Sequence, residues 1–277
     1  MKNILFYSAA FILICSNIAN AQDRTFVRTY QSNTLPKGAK DIELCHTFRT
    51  GRQYFYNRLD QRLELEAGLT DKLQTSLYLN VEYSAEGAHL DTLGGIADTL
   101  IDGISSSTLF SVSSEWKLKL SDPVANAVGS ALYVELTFSP TEFEFEGKLI
   151  LDKKTESNSV ALNLVGEYEV GLDVKKGKTI KEEEFKAEVD LAYMHMFKPN
   201  VGLGLEVVQK NVLVGNKLEH AALFGGPSLF YSGDGFFIIL NALPQWKNLQ
   251  MNDENPNSLN LSEFEKAEIR LLIGFSF

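Results

Sequence analysis

Apolar and polar residues alternate singly along most of the chain, and most cleanly at its end. There Ala267, Ile269, Leu271, Ile273, Phe275 and Phe277 interleave with Lys266, Glu268, Arg270, Leu272, Gly274 and Ser276. A period of two with one apolar face is a strand buried on one side, because successive side chains of a strand point to opposite faces. The pattern returns over 53–67, where Leu59, Leu63, Leu65 and Ala67 oppose Arg58, Asp60, Arg62, Glu64 and Glu66. It returns again over 108–120, with Phe110, Val112, Trp116, Leu118 and Leu120 opposing Ser111, Ser113, Glu115, Lys117 and Lys119. In 182–196 the apolar set is Phe185, Ala187, Val189, Leu191 and Tyr193, against Lys186, Glu188, Asp190 and Ala192. A helix would scatter these polar residues around its axis, and so much charge on one face excludes burial on both sides.

The runs predict about twelve strands: 39–50, 53–67, 72–83, 108–120, 129–139, 142–152, 158–171, 182–196, 200–211, 219–231, 235–244 and 263–277. Each is long enough to cross a bilayer at a tilt, and an even number suits a bacterial single-chain barrel. The fold class is therefore all-β, a transmembrane up-and-down antiparallel β-barrel of about twelve strands over 39–277. Connections give an independent check, since such a barrel alternates long outer loops with short inner turns. The long stretches 84–107 and 245–262 fall at outer positions, whereas Gly68-Leu69-Thr70-Asp71, Lys198-Pro199-Asn200 and Ser232-Gly233-Asp234-Gly235 fall at inner ones. Aromatics fall at both ends of the strands, Phe48, Tyr83, Phe110, Phe138, Phe143, Tyr168 and Phe185 outside and Tyr193, Tyr231, Phe236, Phe275 and Phe277 inside, as interfacial girdles require. The last strand, ending on Phe277, resembles the signal read by the outer-membrane barrel assembly machinery, which makes that machinery and outer-membrane lipid the expected partners.

Ahead of the barrel, Lys2, an apolar run from Ile4 to Cys15 and Ala19-Asn20-Ala21 have the layout of a secretory signal over 1–21. The run is too short to span as a helix, and Ile14 before Cys15 disfavours a lipidated cysteine. Residues 22–38 then read as a periplasmic lead-in or an extra strand, with 25–34 either pairing with the barrel or plugging it. Without the leader and its Lys2 the formal charge moves from −10 to −11, which argues against nucleic acid as a partner.

One cysteine, Cys45, then remains, so no intrachain disulfide forms, and His46, His89, His195 and His220 are too scattered for a zinc site. No metal and no cofactor is expected. No nucleophile has a recognisable setting beside a histidine, so no catalytic residue is expected and the chain reads as a non-enzyme; a lipid- or peptide-hydrolysing barrel is the least favoured alternative.

If the apolar faces meet lipid, the polar faces line a lumen. The candidate lining residues are Arg58, Arg62, Glu64, Glu66, Glu115, Lys117, Lys119, Glu135, Glu146, Lys148, Glu167, Glu188, Asp190, Glu206, Glu268 and Arg270. Carboxylates exceed cations, so one reading is a narrow porin-like path for a small solute, preferring cations. The other is a non-transporting structural or adhesion barrel, in which Arg58, Arg62, Lys117, Lys119, Lys148 and Arg270 pair with neighbouring glutamates and plug the lumen. The outer stretch 84–107 is unusually apolar, and Ile96, Leu100 and Ile104 recur at helical spacing, predicting a short helical cap on the mouth.

Three phrases carry a family resemblance: Leu65-Glu66-Ala67-Gly68-Leu69-Thr70-Asp71-Lys72-Leu73-Gln74, Glu115-Trp116-Lys117-Leu118-Lys119-Leu120-Ser121-Asp122-Pro123, and Glu146-Gly147-Lys148-Leu149-Ile150-Leu151-Asp152-Lys153. They resemble a broad family of poorly characterised bacterial outer-membrane barrels, porin-like or transporter-like. The resemblance implies fold and location in the outer membrane, and no substrate.

Overall fold

The computed structural model describes residues 24–90, 99–175, 177–215, 217–251 and 256–277. The predicted leader over 1–21 lies outside them. Twelve strands follow in chain order: β1 (Lys40–Thr50), β2 (Tyr56–Gly68), β3 (Leu73–Leu90), β4 (Thr99–Ser121), β5 (Gly129–Phe138), β6 (Glu142–Lys154), β7 (Asn158–Lys175), β8 (Lys178–Lys198), β9 (Val201–Val214), β10 (Lys217–Gly233), β11 (Phe236–Asn248) and β12 (Ala267–Ser276). Each pairs antiparallel with its neighbours in sequence, and β1 closes on β12 from Asp41 opposite Ser276 to Thr50 opposite Ala267. Closure leaves no edge, so backbone donors and acceptors inside a bilayer meet one another around the ring.

The alternation sets the two surfaces. Leu77 is 61% exposed and Phe110 64%, on an outer face shared with Leu79, Val112, Leu132, Leu164, Leu203 and Ile269. An apolar band of this extent would promote aggregation in water and matches a hydrocarbon surround, which places the chain in a bacterial outer membrane. The interleaved residues are turned inward: Glu43, Glu64, Glu115, Asn163, Glu206 and Glu268 are all buried.

Two expectations are corrected. In the described parts of the stretch 84–107, 84–90 and 99–107, the chain is strand and not helix: the β3–β4 hairpin extends into them, with Gly87 opposite Ile104 and His89 opposite Leu100, while Ile96 lies outside the described residues. At 18 and 23 residues these strands exceed the span of about ten that a bilayer needs, so the hairpin projects beyond the membrane. There, cross-strand pairing satisfies the backbone without the packing partner that an isolated short helix would lack. Second, the final strand begins at Ala267 and not at 263, and Phe264 turns inward to meet Phe224 edge to face at 6.1 Å. Residues 24–36, within the segment read as an extra strand or a lead-in that pairs with or plugs the barrel, form no strand and lie within the barrel.

That last segment gives the barrel its apolar core. Phe26 and Val27 pack against Ala192, Met194, Phe230, Phe237, Ile239 and Leu272 on the inner face of β8, β10, β11 and β12. Near this cluster β10 and β11 approach unusually closely: a Cβ on Gly226 would run into the carbonyl oxygen of Ala242. Gly226→Ala is accordingly expected to part the two strands at a cost of about 1–3 kcal/mol or more, read as a lower temperature for loss of the compact, heat-modifiable band on a gel. At the inner end, Gly235 adopts a φ of 73°, which the tight β10–β11 turn requires and a side chain disfavours.

Candidate functional site

In a ring of twelve strands, β1, β2 and β12 stand half a turn from β7, β8 and β6. The inward positions of these two arcs carry different chemistry. On the first arc are Arg49, Arg58, Arg62 and Arg270, each held by a carboxylate. Arg49 reaches Asp60 at 2.8 Å, Glu268 at 2.7 Å and Glu265 at 3.0 Å. Arg58 reaches Asp60 at 2.5 Å and Glu82 at 2.8 Å, and Arg270 reaches Glu268 at 2.6 Å. Arg62 pairs with Glu135 at 3.3 Å and lies over the Tyr78 ring at 4.2 Å.

The opposite arc is acidic. Strand register sets Glu144 directly across from Glu169, Glu146 across from Glu167, and Glu169 across from Glu184. Like charges directly opposed destabilise a sheet, so this wall is held against its own repulsion. Its cations are Lys148, 2.9 Å from Glu146, and Lys186, which contacts Glu169 and lies 2.9 Å from Glu167 and 3.5 Å from Glu184. Glu142 extends the carboxylates toward the outer rim. A cavity of about 640 Å³ separates the two walls and reaches the outer turns at Arg52 and Ser139.

The floor of the cavity is the segment from Arg24 to Leu35, whose backbone groups are met by side chains of the barrel. Asn163 accepts from the Tyr30 N–H at 2.7 Å and donates to the Tyr30 carbonyl at 2.9 Å. Glu206 accepts from the N–H of Thr29 at 2.9 Å and of Arg28 at 3.2 Å, and Gln74 accepts from the Leu35 N–H at 2.8 Å. An irregular segment can be buried only if its polar backbone finds such partners. Two arginines anchor it further: Arg24 on Glu43 at 2.9 Å, and Arg28 on Glu188 and, at 3.3 Å, on Glu268. The Tyr30 ring receives Arg24 at 4.5 Å and Lys148 at 4.3 Å.

The predicted lining residues thus separate by depth. Arg58, Arg62, Glu64, Glu135, Glu146, Lys148, Glu167, Glu188, Asp190 and Arg270 border the cavity. Glu66, Glu115, Lys117, Glu206 and Glu268 are also turned inward but buried around the segment that forms the floor. Lys119 lies at the inner rim, 3.6 Å from Asp122, whose carboxyl is held below the usual range by the N–H groups of Ala125 and Val124 in the β4–β5 turn. Arg24 and Glu265 lie in the lumen outside the expected set, and Arg28 belongs to the segment 25–34 that reads as either pairing with the barrel or plugging it; Glu265 precedes the last strand.

Among the described residues His195 hydrogen-bonds Asn158 at 3.0 Å and His220 Asn260 at 3.3 Å, and neither partner is a nucleophile.

Residues 18–277 match a family described as a family of unknown function, DUF6662. No curated protein is recognisably similar in sequence. Several solved structures share the fold. An outer membrane channel from Pseudomonas putida F1 superposes with a TM-score of 0.60 at 12% identity, over 91% of this chain and all of that one (100%). The β domain of the Bordetella autotransporter BrkA gives 0.56 at 8% identity, over 87% and 100%. The NanC porin gives 0.53 at 9% identity, over 84% and 98%. These likenesses establish a porin-like barrel architecture.

Proposed function

The chain belongs to this family of unknown function, and we propose that it is a narrow porin-like channel for small solutes, with an acidic wall that favours cationic over anionic ones. The observation that carries this reading is the cavity between the arginine arc and the glutamate arc. The arginines are largely matched by Asp60, Glu82, Glu265 and Glu268, whereas the carboxylates of β6, β7 and β8 outnumber Lys148 and Lys186. A ring or wall of unmatched carboxylates raises the local concentration of cations and excludes anions. The cavity has the volume of a small solute with part of its hydration shell, and its lining is mostly charged and polar, which suits a polar solute better than a hydrocarbon.

The test is uptake into proteoliposomes. Choline or arginine is expected to enter faster than gluconate or aspartate of similar size. Equal rates, or faster entry of the anions, would contradict the acidic path.

A second reading, a non-transporting barrel with its lumen plugged, is favoured by one observation: the floor formed by residues 24–36 across the inner half. The apolar band makes lipid the surrounding partner, and the alternating apolar face of β12, with Ile269 and Phe275 exposed, supports recognition by the barrel assembly machinery.

A further inference from the structure

At the level of the cavity floor, on the side of β1, β2 and β4, five carboxylates are buried together, of which Glu64 also borders the cavity. Strand register places Asp41 opposite Glu66 and Glu43 opposite Glu64, and Glu115 follows one strand further, beyond Ser76. None is more than 3% exposed. In two overlapping triads, Asp41 with Glu43 and Glu66, and Glu64 with Glu66 and Glu115, one oxygen from each residue lies within 4.8 Å of the others. Among the described residues the cations that act on them are Arg24, 2.9 Å from Glu43 and 4.0 Å from Glu64, Lys117 on β4, and Arg62, which faces Glu64 and lies over the Tyr78 ring.

Three positive groups do not balance five carboxylates. Burying an ionised carboxylate without compensation costs several kcal/mol, so a cluster of this kind calls for a further positive charge. The orientation of the side chains points the same way. Glu64 Oε1 and Glu115 Oε1, on residues 1% and 0% exposed, have no hydrogen-bond partner among the described residues, although Glu115 receives the Tyr78 hydroxyl through its other oxygen. Two oxygens on one triad are therefore available as ligands.

We infer that Glu64, Glu66 and Glu115 form the core of a buried site for a hard divalent cation such as calcium, with Asp41 and Glu43 completing its acidic surround. All candidate ligands are oxygens, which suits calcium or magnesium and not zinc or copper. Oxygens within 4.8 Å of one another can share one calcium ion at about 2.4 Å each. The ion would tie β2 to β4 across β3, beside the point where Arg24 anchors the inner segment. A search for cysteine and histidine spacing misses this site, because its ligands come from separate strands and are brought together only by register.

The test is calcium titration of the full-length protein, purified from outer membranes, stripped with chelator and shown to remain folded by its heat-modifiable mobility. One saturable calcium per chain is expected in isothermal calorimetry. Glu64→Gln and Glu115→Gln should each weaken it roughly tenfold or more by removing a charged ligand. Glu156→Gln, in the exposed β6–β7 turn, should leave the titration unchanged. Should Glu64→Gln fail to fold, Glu115→Gln remains informative, since its amide oxygen still accepts from Tyr78. Folded wild-type protein that binds no calcium up to roughly 10 mM, well beyond the weakest protein sites, overturns the proposal. So does binding that persists unchanged in Glu115→Gln, or that is lost equally in Glu156→Gln.

Discussion

Removal of residues 24–36 is expected to raise single-channel conductance by roughly tenfold or more, because conduction is limited by the narrowest polar constriction. The segment occupies the inner half of the lumen, where Phe26 and Val27 fill the space between Ala192, Met194, Phe230, Ile239 and Leu272. The ring of strand pairs does not pass through it. Closure runs from β1 to β12, and Lys40, which pairs with Ala67, lies after the deleted stretch. The deletion therefore takes away a floor and leaves the wall. It also exposes Asn163, Glu206, Glu188 and Glu43, whose polar atoms exchange the segment for water, so the widened path should be wet. Recording in planar bilayers, with heat-modifiable mobility as the check on folding, decides the matter. An unchanged conductance in a folded deletion variant would mean that the constriction lies elsewhere.

The second large effect concerns ion preference. Replacing Glu144, Glu167 and Glu169 together by glutamine should lower the ratio of potassium to chloride permeability several-fold, toward unity, since the selectivity of a charged wall follows its net charge. Size and hydrogen-bonding capacity are retained by the exchange, so conductance should change less than selectivity. Lys186 would then be left without its partners at 2.9 Å and in direct contact, adding a net positive charge to the same wall. The arginine arc offers the control. Arg58→Gln frees Glu82, leaves Asp60 to Arg49 alone, and should shift selectivity the opposite way, toward cations. Reversal potentials in a salt gradient measure both changes, and a triple variant as cation-preferring as the wild type would place the selective element outside the β6–β7 wall.

Much of this architecture was legible in the alternation of side chains, for a physical reason: a barrel wall is buried against lipid on one side and polar on the other, so each residue reports its face. Arg58 to Glu66 and Ser111 to Lys119 could be assigned inward without coordinates. Depth was not legible. Glu115 and Glu146 occupy equivalent inward positions in sequence, yet one is buried beneath the floor and the other borders the cavity, because the segment from Arg24 to Leu35 fills only one end. Its phrase Thr25-Phe26-Val27-Arg28 alternates like a strand, but strand pairing needs a free edge and the closed ring has none. Its backbone turns to Asn163, Glu206 and Gln74 instead. The periodicity of Leu100 and Ile104 misled for a related reason, since a hairpin already zipped by β3 and β4 continues past the membrane regardless of helical spacing. The carboxylate cluster of Asp41, Glu43, Glu64, Glu66 and Glu115 depends on strand order and register together, neither of which spacing along the chain reveals.

The account rests on the lumen being a path whose acidic wall selects among small solutes. The reversal potential of the wild-type protein in a planar bilayer under a tenfold potassium chloride gradient tests this most directly. A value lying toward the potassium equilibrium potential is the predicted result. A value lying toward that of chloride, or a folded barrel that passes no current, would contradict it.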